Sequence, residues 1–314
     1  MARKIVIDCD PGQDDAVAIF LAFSAFEELE LLGITTVCGN VPLDLTQRNA
    51  RLMCDIAGRR DVPVYAGCAK PMARQLKTAE MVHGETGING IEVFEPKTPL
   101  QSEHAVDYVI RTLLAAEDAS VTLVPMGPLT NIAVAIERQP RILPKIEQIV
   151  LMGGAMREGG NRTPSAEFNI LVDPDAADIV LKCGRPITKM GLDVTHQVLS
   201  TVDRVERIKA LGNPVATATA GMLSFFDRFD TKKYTSRGAP LHDPCTIAWL
   251  LRPDLFVGKD CNVSVETQSE LTLGHTAVDF WQVTDRPINV HWVYEVDADG
   301  FYDLLIERLA RFGS

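Results

Sequence analysis

The stretch Ile5-Val6-Ile7-Asp8-Cys9-Asp10-Pro11-Gly12-Gln13-Asp14-Asp15-Ala16-Val17 decides how the rest of the chain is read. Ile5 to Ile7 form a short apolar strand pattern, Pro11 and Gly12 turn the chain, and the apolar residues from Ala16 to Phe23 recur at helical spacing. The chain repeats that order of strand, loop and helix. An apolar run over 29–37 stops at Gly39-Asn40, a helix is predicted over 43–57, and a strand follows over 62–65. Further strands over 121–124, 149–152 and 187–190 alternate with helices over 104–116, 129–136 and 174–182. Residues 202–229 read as helical with a break at Gly212-Asn213-Pro214, and beyond Val263 short strands precede an amphipathic helix over 301–312. Such alternation predicts an α/β fold: an open, mostly parallel central sheet with helices on both faces and a Rossmann-like core. With no internal repeat and no Gly-, Ser- or Pro-rich linker, residues 1–314 are expected to form a single domain.

Composition narrows the partners. Hydrophobic residues make up 46% and charged residues 23% of the 314, the balance of a soluble globular protein. Forty-two acidic residues against 31 Lys and Arg leave a formal charge of -11. Nucleic acid and anionic membrane are therefore repelled on average, and a neutral or cationic small molecule is the expected partner. The chain enters a strand pattern directly after Met1-Ala2-Arg3-Lys4, which reads as no secretion signal. The apolar run over 16–23 is far too short to span a bilayer. Seven scattered cysteines without a C-x-x-C pair argue against a disulfide framework and a zinc site, and for a reducing, cytoplasmic setting.

The chemistry concentrates behind the first strand. Asp8, Asp10, Asp14 and Asp15 put four carboxylates into eight residues, a crowding of like charge that is costly unless a cation neutralises it. The Pro11-Gly12 turn lets Asp10 and Asp15 face one another. With no histidine or thiolate at ligand spacing, oxygen donors favour calcium or magnesium. Capping of the following helix by Asp14 or Asp15 accounts for one or two of the four, not all. His242-Asp243-Pro244, taken alone, reads as a surface histidine and a helix-capping aspartate. Beside a metal loop, Asp243 becomes a further ligand and His242 an acid poised near neutral pH. Glu167-Phe168-Asn169 sets two polar groups around an apolar one, suited to hydroxyls beside a hydrophobic wall. His83-Gly84-Glu85-Thr86-Gly87 reads either as an ordinary loop or as a flap.

Taken in order with Gly39-Asn40, Leu123-Val124-Pro125-Met126-Gly127-Pro128-Leu129-Thr130-Asn131 and Leu151-Met152-Gly153-Gly154, these motifs closely resemble the inosine-uridine-preferring nucleoside hydrolase family, from residue 5 to beyond Asp279. The resemblance implies that water cleaves the N-glycosidic bond of a ribonucleoside, purine or pyrimidine, in nucleoside salvage. It implies a Ca²⁺ held by Asp10, Asp15, the carbonyl of Met126 and Asp243, with Asp10 as general base on calcium-bound water. By the same likeness Asp14, Asn40, Asn161, Glu167 and Asn169 grip the ribose, and Met152 and Phe168 lie against its apolar face. His83 and His242 flank the base, His242 as a candidate to protonate it on departure. The chain departs from the family pattern before His242, where Asp230 stands at a position often tyrosine or glutamine; Tyr234 is the residue there expected to reach the site. Relatives imply a homodimer or homotetramer. An Asp-x-Asp after the first strand also opens the haloacid-dehalogenase-like phosphatases, which would make Asp8 a nucleophile, yet that family explains none of the downstream motifs.

Overall fold

The structure, a computed structural model, describes residues 2–234 and 238–313, and of 226–234 the backbone alone. Strand β1 (Arg3–Cys9) shows why the sheet is buried on both faces. Ile5, Ile7 and Cys9 point into one hydrophobic cluster and Val6 into the other, so the alternation of a strand feeds two cores at once. The same logic forms β2 (Leu29–Thr36), β3 (Val64–Ala66), β4 (Leu100–Gln101), β5 (Val121–Pro125), β6 (Ile146–Met152) and β7 (Ile187–Met190). After a two-residue pair, β8 (Leu199–Ser200) and β9 (Ala239–Pro240), the chain adds β10 (Phe256–Val265), β11 (Thr276–Asp279) and β12 (Val290–Val296).

Ten of these strands make one sheet in the order β11-β10-β12-β7-β6-β5-β1-β2-β3-β4. Every neighbouring pair from β4 to β12 is parallel, and β10 alone runs the other way, antiparallel to both β12 and β11. The predicted open, mostly parallel sheet is thus the one observed. From β1 the chain winds outward through β2 to β4 on one side and through β5 to β7 on the other. The β1/β5 boundary is therefore a topological switch point, and the loops at its carboxyl end diverge to leave a crevice. Asp8 pairs with Pro125 at that boundary.

Among the boundaries that differ from the expected ones, two have a plain physical reason. The first helix begins at Gln13 rather than Ala16, because the Asp15 carboxylate accepts a hydrogen bond from Gly12 N (2.9 Å) and closes the first turn. Asp14 and Asp15 therefore stand on a helix, all twelve of whose residues are buried. Strand β10 begins seven residues before Val263, since its polar positions 258–260 lie on the less covered antiparallel end of the sheet and break the apolar pattern. The break at Gly212-Asn213-Pro214 separates helices Val202–Lys209 and Pro214–Tyr234 as expected. Among the described residues, no helix is long and apolar enough to cross a membrane.

Candidate active site

At the switch point the main chain grips Asp10 from three sides. Its Oδ2 accepts from Asn40 N (2.7 Å), and Asn40 Nδ2 returns to the Asp10 carbonyl (3.0 Å). Gly39 and Gly127 pack so closely on the carboxylate that a Cβ at either position would collide with it. Glycine is required there for close approach, not for an unusual backbone angle. Asp15 Oδ1 accepts from Asp10 N (3.3 Å), and Asn40 Nδ2 also reaches Asp15 Oδ2 (3.3 Å).

Asp14, Asp15 and Asp243 each bring a carboxylate oxygen within 4.8 Å of the others, all three buried. Asp243 precedes the helix Pro244–Leu251 but does not cap it with its side chain; its carboxylate turns to the cluster instead. Burial first, and the charges of neighbouring aspartates second, push Asp10 well above the usual carboxylate range, and Asp14 rises for the same two reasons. Asp15 is raised by burial. Asp243 is raised by burial and then by Asp14, Asp15 and Asp10. Among the described residues no Lys or Arg pairs with any of the four. Buried carboxylates in such a group are stable as anions only with a cation among them. The donors are all oxygen, which suits a hard divalent ion. The residues present therefore fit a metal.

Above this floor opens a cavity lined by Asp14, Asn40, His83, Met126, Met152, Asn161, Glu167, Phe168, Asn169, His242 and Asp243. Every one of these was singled out in the sequence, from segments up to 229 residues apart (14 to 243). Asp10 and Asp15 lie beneath the lining. Tyr234 and Asp230 lie outside the residues whose side chains are described. Asp8 does not line the cavity: its Oδ1 accepts from Thr35 Oγ1 (2.6 Å) and Asn131 Nδ2 (2.8 Å), and burial lifts it to about 7. A carboxylate so enclosed is a brace between strands, not the nucleophile of a phosphatase.

The polar groups of the lining are held by the backbone. Glu167 caps the helix Phe168–Val172, accepting from Asn169 N (2.9 Å) and Ile170 N (3.2 Å), and it also takes Gly154 N (2.9 Å). Burial raises its proton affinity, which these donors and the charge of Lys189 oppose. Asn169 Nδ2 donates to the Met126 carbonyl (2.7 Å), and Asn161 Oδ1 accepts from Phe168 N (3.0 Å). His83 Nδ1 meets Gln13 Oε1 (2.5 Å), and burial lowers its value to about 4. His242 Nδ1 meets Thr195 Oγ1 (2.7 Å), and burial, then the neighbouring histidines, hold it well below the usual histidine range. Burial thus disfavours the imidazolium at both predicted base-flanking histidines. In the cavity wall His83 is buried and His242 half-buried, and each loses much of the hydration that would stabilise an imidazolium.

The sequence reading missed the rest of the lining, notably His196 and Arg162, and also Lys189 behind it. Lys189 is fully buried, its Nζ without a hydrogen-bond partner among the described residues and 5.9 Å from the Trp292 ring. Burial lowers it to about 7, partly opposed by Glu167. The available signal for His196 was position: it follows the carboxyl end of β7, where ligand-binding loops gather.

Comparison with known proteins agrees with this geometry. Residues 5–303 match the sequence pattern described as inosine-uridine preferring nucleoside hydrolase. The chain is 49% identical over 313 residues to a protein of Photobacterium profundum named pyrimidine-specific ribonucleoside hydrolase RihA, covering 99% of this chain and 100% of that one. Among solved structures, it superposes on the plant nucleoside hydrolase PpNRh1 with a TM-score of 0.92 and 32% identity, over 99% of both chains. A purine-preferring ribonucleoside hydrolase from Gardnerella vaginalis gives a TM-score of 0.91 at 32% identity, again over 99% of both chains.

Proposed function

Because the chain belongs to the inosine-uridine preferring nucleoside hydrolase family, and is a ribonucleoside hydrolase acting on an N-glycosyl bond, we propose that it cleaves pyrimidine ribonucleosides to ribose and free base in a calcium-dependent reaction. The observation that carries this reading is the convergence of a buried, all-oxygen aspartate cluster with a cavity lined by amide and carboxylate groups. Asp10, Asp15, the Met126 carbonyl and Asp243 hold the ion, and the proximity of Asp14 to Asp15 and Asp243 brings a further oxygen to it. When bound, a divalent ion supplies positive charge that keeps the carboxylates ionised and polarises water.

The protein's own groups do the remaining work. Asp10, immobilised by Asn40 N and the two glycines, is the base that accepts a proton from the attacking water. Asp14, Asn40, Asn161, Glu167 and Asn169 fix the ribose hydroxyls, and Met152 and Phe168 exclude water from its apolar face. The carboxylates beneath the ring favour the positive charge that develops as the glycosidic bond stretches. His83, His242 and Tyr234 surround the base.

The pyrimidine preference is carried over from the 49% identical relative. All seven cysteines are free thiols, which supports a cytoplasmic site in nucleoside salvage. One sheet draws strands from residues 3 to 296, which supports treating 1–314 as one catalytic domain. Exposed Trp281, Val283 and Ile288 next to edge strand β11 support self-association as a homodimer or homotetramer.

Steady-state kcat/KM on uridine, cytidine, inosine and adenosine tests the substrate assignment. Uridine and cytidine are expected to exceed both purine nucleosides; the reverse order rejects the preference. Dialysis against EDTA is expected to abolish turnover and Ca²⁺ to restore it, and full activity in metal-free protein rejects the metal role.

A further inference from the structure

One buried charge takes no part in the chemistry above. Lys189 is fully buried in β7, and its Nζ has no hydrogen-bond partner among the described residues. In register with it stand Leu151 on β6 and Trp292 on β12, neither of which carries charge. Its side chain runs instead beneath the turn that follows β6: a Cβ on Gly154 would stand 2.9 Å from Lys189 Cε, with Thr276 equally close. The Trp292 ring, 5.9 Å from Nζ, is a weak substitute for an anion.

Glu167 lies against that same turn. Its Oε2 accepts from Gly154 N (2.9 Å) and Ile170 N (3.2 Å), and its Oε1 from Asn169 N (2.9 Å). A Cβ on Gly153 would stand 3.1 Å from Oε2. Two glycines in succession thus let the carboxylate and the ammonium approach one thin stretch of backbone. Among the described residues Glu167 is the charge that acts on Lys189, and it favours the ammonium; Lys189 in turn favours the ionised form of Glu167. The attraction does not offset the burial of the lysine, whose value is lowered to about 7. A buried ammonium held at a net cost to the fold, with an anion of the cavity wall beside it, points to a part in the site rather than in the core.

An ionised carboxylate has about four acceptor sites, and three backbone N–H groups occupy those of Glu167. The one left over, on Oε1, is what Glu167 offers to a ligand in the cavity it lines. A proton there would turn the acceptor into a donor and leave a ligand hydroxyl with nothing to donate to. We propose that Lys189 is a positioning residue for the ribose: its ammonium is the counter-charge that keeps Glu167 ionised, so that the carboxylate accepts a hydrogen bond from a ribose hydroxyl. The assignment rests on the ribonucleoside hydrolysis proposed above. Lys189 itself does not line the cavity and acts through Glu167.

The test compares the protein with Lys189→Met, both supplied with calcium. The other titratable groups lining the cavity, Asp14, Asp243, Arg162, His83, His196 and His242, are common to both, so the difference isolates the lysine. The Glu167 carboxyl carbon, followed by carbon magnetic resonance and identified by its loss in Glu167→Gln, is expected to titrate about one pH unit higher in the variant, a gain of about tenfold in proton affinity. At about pH 6, where the ammonium is charged in the parent, KM for uridine is expected to rise roughly fivefold in the variant with kcat unchanged, because a proton competes with the hydroxyl for Glu167. At about pH 8.5 Lys189 is neutral in the parent as well, and the two KM values are expected to agree within about twofold. An unmoved carboxyl titration overturns the pairing. A KM gap of the same size at both pH values marks a packing defect and overturns the positioning role. If the unaltered protein releases no uracil, ribonucleoside hydrolysis is what fails, while the carboxyl titration still decides whether the two charges are coupled.

Discussion

The floor and the rim of the cleft are held by different means. On the floor, Asp10 is fixed by backbone N–H groups and by two glycines from separate loops, and Asp15 is tied into the first turn of a fully buried helix. At the rim, exposed Arg162 reaches across to the segment 78–83, donating to Thr78 O and Met81 Sδ, both at 3.2 Å. Buried backbone donors in the loops at the carboxyl end of the sheet have few alternative partners, which favours one arrangement of the floor. Side-chain contacts open to water exchange readily with solvent. On the function proposed above, this difference suits the floor to the bond-breaking chemistry and the rim to admission of the nucleoside.

Asp10→Ala is the most severe way to challenge that division. Loss of the base is expected to lower kcat by about a thousandfold, within the range of general-base contributions, while the far-ultraviolet circular dichroism stays that of the folded protein. Near-normal kcat in this variant removes Asp10 as the base and leaves the floor a metal cradle only.

The floor was legible in the sequence for a physical reason. Its residues follow one strand within eight positions, where crowding of charge shows without any knowledge of the fold. The alternation of apolar strands and helices likewise revealed the parallel sheet, because strands buried on both faces read as continuous apolar runs. Parts of the rim and its surroundings were not legible. His196 meets His242 only through β8 and β9, two-residue strands that carry no periodicity. Lys189 reads as a solvent-facing strand residue, yet β7 lies between β6 and β12 and buries it completely. The lowered proton affinity of His242 was not legible either, because it is set by burial and by His196 and His83, which are distant in sequence. Tyr234 and Asp230 lie beyond the described side chains, so the departure seen there in the sequence is still a question for the substrate panel.

Lys189 sharpens the contrast from behind the floor. Its folded value, lowered by burial to about 7, lies below the unfolded value. Between about pH 7 and the ordinary lysine range near 10.4, the unfolded chain therefore binds more protons, and stability rises with pH across that window. Lys189→Met removes this titration. The variant is expected to melt higher than the parent at pH 7, by on the order of 1 kcal/mol of added stability, since an unpaired buried charge is replaced by an apolar chain of similar length. The gap between the two proteins then narrows as pH rises. Thermal melts at pH 7, 8 and 9.5 measure it; a constant gap shows that Lys189 has a partner that compensates its burial.

Arg162→Ala asks for the least and discriminates most finely. The guanidinium ties the loop at 78–83 to the loop carrying Asn161, so its loss frees one wall of the cavity without touching the aspartates. Exposed contacts of this kind contribute about 1 kcal/mol or less, equivalent to roughly a fivefold change in an equilibrium constant. If the rim only admits and retains the nucleoside, that energy is realised equally in the bound ground state and the transition state, and KM rises a few-fold with kcat unchanged. A fall in kcat of a hundredfold would mean that Arg162 acts in the transition state. The rim would then belong to the chemistry, and the division drawn between the two regions would have to move outward to include it.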